Sequence, residues 1–106
     1  MRLMKWAFGA KRNEYLSAVA QRIAERTIDQ VERRLSGLTP EMSAAEARGY
    51  IRVRAAAVVH RAVNRAVSQD RRLRTADREP LAQMTTELLT TALLRSAKPR
   101  RPSIAA

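Results

Sequence analysis

The sequence predicts an all-α domain: a long antiparallel helical hairpin plus a shorter third helix, three-helix bundle-like, followed by a flexible basic C-terminal tail. Three observations lead there. Apolar residues recur with helical period in three separate segments, the breaks between them fall at Gly37–Pro40 and near Pro80, and no Gly or Pro interrupts residues 52–79. Apolar positions repeating at three- and four-residue steps bury one side of a helix and leave the other to water. At 106 residues the chain has length for one domain.

Residues 1–12 read as an aromatic and basic segment ahead of the helical domain at 13–96. Leu3, Trp6 and Phe8 are its bulky groups, together with Met4. They are expected to pack on one end of the bundle, because aromatic rings bury large area. The alternatives are docking into a partner protein, or an interfacial anchor in which Arg2 and Lys5 meet lipid headgroups.

Helix one is expected over about 13–36. Asn13 stands where an N-cap would, Leu16, Val19, Ala20, Ile23, Ala24, Ile28, Val31 and Leu35 form the stripe, and Gly37 follows as a C′ residue. Asp29 and Arg33, four apart, offer a small surface pairing. Two starts then compete for helix two. Either Thr39 caps it with Pro40 at the first helical position, or Ser43 and Glu46 form a capping box. The short connection makes the two helices antiparallel.

Helix two is expected over about 43–74, weakest at Ser68-Gln69-Asp70, with Leu73 and Ala76 favouring continuation. Ile51, Ala55, Val58, Val59, Ala62 and Ala66 line its apolar side, and Val53, Val63 and Val67 widen that sector. So broad a sector predicts a central helix between helices one and three, or between helix one and a second subunit. Helix three is expected over about 79–96, with Asp77 or Glu79 near its start, where negative charge is favoured. Leu81, Met84, Leu88 and Ala92 form its stripe, flanked by Leu89 and Leu93, while four threonines lower its propensity. Residues 97–106, with two prolines and three cations, read as disordered.

Charge carries the functional expectation. Net charge is +11, which attracts nucleic acid, anionic lipid or acidic protein surfaces. Eighteen of the 21 cations are arginine, but a GC-rich coding sequence accounts equally for that preference, so the net charge bears the weight. Arg54, Arg61, Arg65 and Arg72 fall at intervals of seven, four and seven, along one side of helix two. Arg71 and Arg74 extend the group, as do Lys98, Arg100 and Arg101 in the tail. Residues 47–69 hold five arginines and no Asp or Glu, a lopsidedness that mere solvation of a helix face does not require.

The expected function is a small non-enzymatic protein that engages nucleic acid through its phosphate backbone, without reading sequence. No short helix pair with a tight turn marks a recognition helix, and aromatics are not interleaved with the cations as single-strand stacking demands. The alternative is a helical adaptor or homo-oligomeric assembly subunit, binding protein through its apolar helix faces and aromatic N-terminus. Partners expected are thus nucleic acid or an acidic protein surface, then a second copy of the chain, with a membrane surface ranked last.

Catalysis is not expected, nor any cofactor or metal. His60 is the single histidine and has no carboxylate within a helical turn to orient it. No cysteine is present, which removes disulfides and thiolate sites and fits a cytoplasmic protein. Apolar runs fall far short of the ~20 residues a membrane span needs.

Overall fold

Leu16, Val19, Ala20, Ile23, Ala24 and Val31 repeat with helical period, and all lie buried along one side of the first helix, α1 (Arg2–Glu32). The computed structural model describes the backbone of residues 2–97 and the side chains of residues 11–96. Among the described residues, α1 is joined by α2 (Ala44–Gln69), a 3-10 turn (Thr75–Asp77) and α3 (Arg78–Ala97), with no strand. The architecture is the expected three-helix all-α bundle. No helix among the described residues is long and apolar enough to cross a membrane. The side chains of Leu3, Trp6 and Phe8, and the tail from Lys98 onward, lie outside the described residues.

α1 starts earlier and stops sooner than its stripe suggests. Residues 2–12 belong to the helix instead of forming a separate segment, and Asn13 is an exposed mid-helix residue, not a cap. No proline interrupts those turns, and their Leu, Met, Lys and Ala residues offset Gly9, which costs about 1 kcal/mol relative to alanine. At the other end the Arg33 N–H still reaches the Asp29 carbonyl at 3.1 Å. Arg34 and Leu35 then donate three residues back, to Val31 and Glu32, and this tightening ends the helix. Gly37 is therefore not a helix C′ residue, and its backbone is not left-handed. Its N–H donates to the Tyr50 hydroxyl at 2.8 Å, and a Cβ there would stand 2.7 Å from that oxygen. Close approach is what requires glycine.

Ser43 caps α2, the second of the two competing starts. Its hydroxyl accepts the Glu46 N–H at 3.1 Å, and the Glu46 carboxylate accepts the Ser43 N–H at 2.9 Å. α2 is unbroken across residues 51–67 but stops at Gln69, short of the expected 74. Asp70 causes the stop. Its backbone turns extended (φ −109°, ψ 112°) and its carboxylate accepts the Arg72 N–H at 2.9 Å. A short acidic side chain bonded two residues on competes with the helical ladder. Leu73 is buried nonetheless, reached by a turn, whereas Ala76 is exposed.

Asp77 organises the next start, its carboxylate accepting the Arg74 N–H at 2.7 Å. α3 is the central helix, packing more extensively on α1 and on α2 than those two pack on each other. Helix two, expected at the centre, is a flanking helix whose buried side meets both α3 and α1; Val63 is buried and Val67 half-buried there, but Val53, expected in the same sector, is 74% exposed on the opposite side. The buried line of α3 is also rotated from the expected one. Leu81, Thr85, Leu89 and Leu93 are buried, and Thr90 with them, while Ala92 is exposed and Leu88 is 38% exposed. A four-residue repeat drifts about 40° per step around a helix, so α3 turns its buried side steadily across two neighbours. Ala20 and Ala55 are fully buried, letting the helices approach at small residues.

Candidate nucleic-acid interface

Antiparallel packing of α1 and α2 is pinned at both ends by tyrosines. At one end the Arg72 guanidinium lies over the Tyr15 ring, 4.6 Å from its centroid; at the other, Gly37 meets Tyr50. Each contact joins a residue of one helix to a residue just beyond the end of the other, for Arg72 follows α2 and Gly37 follows α1.

Arg54, Arg61 and Arg65 stand on α2 as a straight row, all exposed, about 16 Å from first to last. Arg54 lies over the Tyr50 ring at 5.0 Å. Among the described residues none of the three has a carboxylate within ion-pair distance. Arg48 and Arg52, the other arginines of the acid-free stretch, sit on the opposite flank and both pair with Glu87 of α3.

Arg72 departs from the expected row. α2 has ended, so Arg71, Arg72 and Arg74 are exposed but not aligned by the helix. Arg72 is engaged: its Nε lies 3.6 Å from Asp70 and its carbonyl accepts from Arg12 at 2.9 Å. Arg12 also pairs with Asp77, and the Tyr15 hydroxyl donates to Asp70. Accepting the Tyr15 hydroxyl and the Arg72 N–H holds the Asp70 carboxyl below its ordinary value, while donating to Asp70 pushes the Tyr15 hydroxyl up. This cluster is a structural latch between α1 and the α2–α3 connection.

The sequence reading missed a second row. Tyr15, Arg22 and Arg26 on α1, with Arg33 just past its end, repeat the same intervals of seven, four and seven, and the three arginines are exposed. Tyr15 shares this row and reaches the end of α2, as Tyr50, four residues before Arg54, reaches the chain just past α1, so the two rows flank the same α1–α2 seam in antiparallel sense. Arg22 also acts on the Tyr15 hydroxyl electrostatically, lowering its affinity for the proton. Applying the α2 periodicity to the first helix would have revealed this row. The row holds one acid, Asp29, seven residues from Arg22 and four from Arg33. Glu14, Glu25 and Glu32 align on the far flank of α1 by helical period, and Glu25 borders the groove facing α3. Asp29 itself forms no ion pair with Arg33 or any other described residue.

Elsewhere the surface offers little chemistry. His60 is exposed beside α3, bordering a shallow groove with Arg52, Arg78 and Glu79. No group of His, Asp or Glu side chains among the described residues is placed to hold a metal ion. Between α1 and α3 runs an open, mainly apolar groove lined by Ala20, Ala24, Ile28, Met84, Leu88 and Ala92. No protein-family model, curated protein or solved structure matches the chain.

Proposed function

We propose that the protein binds nucleic acid through its phosphate backbone, without catalysis and without reading bases. The observation that carries this reading is the row of Arg54, Arg61 and Arg65: exposed, in line, and without a carboxylate partner among the described residues. Guanidinium groups grip phosphate oxygens with paired hydrogen bonds, and each neutralised phosphate releases condensed counterions. The face offers charge at fixed spacing and no base-reading element, so affinity is broad and falls steeply with salt. Changing Arg54, Arg61 and Arg65 together to Gln tests it, with binding to a mixed-sequence oligonucleotide followed by fluorescence anisotropy. Marked weakening supports the proposal; affinity unchanged from wild type refutes it.

A second reading rests on the groove between α1 and α3. Leu88 is 38% exposed there, beside half-buried Met84 and Ile28, which suits an adaptor or a self-associating subunit. That reading requires a mass above the monomer at high salt, or capture of a partner that Leu88→Glu abolishes.

A further inference from the structure

We infer that the two facing arginine rows form a receptor for double-stranded nucleic acid, one row per phosphate strand, in preference to single strands. The inference rests on the phosphate-binding reading above and goes beyond it. A single backbone is one track of phosphates, and one row of cations suffices for it. Here there are two rows, Arg22, Arg26 and Arg33 along α1 and its first following residue, and Arg54, Arg61 and Arg65 on α2, flanking the same seam between the two helices.

Helix axes packed side by side lie about 8–10 Å apart, which sets the order of separation between the rows. Duplex grooves are bounded by two phosphate tracks about 6–12 Å across, and long flexible arginines take up the difference. Each row, at about 16 Å, spans roughly five base-pair steps of one strand. Facing cations also repel one another across the helix pair. A ligand carrying two anionic tracks relieves that repulsion on both rows at once, and a single strand relieves it on one.

The tyrosines point the same way. Single-strand binders offer open aromatic faces on which bases stack. Tyr15 and Tyr50 instead each carry a guanidinium over the ring, Arg72 at 4.6 Å and Arg54 at 5.0 Å, and both hydroxyls are engaged in hydrogen bonds. Neither ring offers a free stacking platform on that side.

The test compares wild type, R22Q/R26Q/R33Q and R54Q/R61Q/R65Q, each checked for helicity by circular dichroism. Binding is measured to a DNA duplex, an RNA duplex and a single strand of equal length at one salt concentration. Wild type is expected to prefer either duplex over the single strand. The α1 variant is expected to lose about tenfold or more in duplex affinity while its single-strand affinity changes by less than about threefold. The DNA and RNA arms decide which duplex form is favoured. Equal wild-type affinity for duplex and single strand, or an α1 variant that binds duplex as wild type does, overturns the inference and leaves simple phosphate binding standing. Wild type that binds none of the three sinks both.

Discussion

The guanidinium of Arg72 rests over the ring of Tyr15, 4.6 Å from its centroid, and the Tyr15 hydroxyl donates to Asp70 two residues before that arginine. One tyrosine on α1 thereby holds both the end of α2 and the turn that leaves it. Arg12, one turn earlier on α1, adds a bond to the Arg72 carbonyl and an ion pair with Asp77. Arg72 thus serves the fold, and the candidate ligand face begins at Arg65.

The latch gives stability a pH dependence of definite sign. Asp70 is held below its ordinary value by the Tyr15 hydroxyl first and the Arg72 N–H second. Its contribution is therefore complete above the ordinary carboxylate pKa of about 3.9 and is lost as pH falls through the lower folded value. Tyr15 is raised, chiefly by the same hydrogen bond, so its contribution is complete below about 10 and lost as pH rises through the higher folded value. Tyr15→Phe keeps the ring beneath Arg72 and deletes the bond. Urea denaturation should show a lower midpoint for Tyr15→Phe near neutral pH, with the difference narrowing in acid below the folded Asp70 value. A difference that persists unchanged in acid contradicts this assignment.

Six arginines on one seam, with Asp29 among them and no ion pair to any of them among the described residues, make the free protein more stable as salt rises, the reverse of what screening does to a surface held by ion pairs. The thermal midpoint should increase between low and physiological ionic strength, and increase further with a soluble polyanion. Arg26→Gln, which removes one cation of the α1 row, should raise the low-salt midpoint by an amount worth up to about 0.5 kcal/mol. A midpoint that drops with added salt would count against the facing rows.

Thr85 and Thr90 are fully buried on α3, and neither hydroxyl has a hydrogen-bond partner among the described protein atoms. Thr27 on α1 shows the satisfied alternative, donating to the Ile23 carbonyl at 2.8 Å. An unpartnered buried hydroxyl costs about 1–3 kcal/mol. Thr85→Val and Thr90→Val, which keep the shape and delete the hydroxyl, are expected to stabilise the fold by about 1 kcal/mol each, read from chemical denaturation. Destabilisation by either change would mean that its hydroxyl is satisfied.

The α2 row was legible because both its features are local: unbroken helix, and arginines at helical spacing. The capping box of Ser43 and Glu46 was legible for the same reason. Three things were not. Asp70 ends α2 partly through Tyr15, 55 residues away, a partner no window around position 70 reveals. The buried line of α3 depends on how that helix crosses two others, so an apolar pattern favouring Leu88 over Thr85 pointed to the wrong side. The α1 arginines carry the same spacing as those on α2, but their value comes from facing the second row. That juxtaposition exists only after the chain has folded back at Gly37 and Tyr50.

Affinity for a mixed-sequence oligonucleotide, measured over a range of salt concentrations, tests the central claim most directly. Wild type, R54Q/R61Q/R65Q and a control R48Q/R52Q, altered on the flank that pairs with Glu87, are compared as slopes of log affinity against log salt. The slope of the first variant should be shallower than wild type by about 2 to 3, near 0.9 for each duplex phosphate that is no longer neutralised, and the control should match wild type. Identical slopes for wild type and R54Q/R61Q/R65Q would contradict the account, because phosphate would then be held somewhere other than the arginine face.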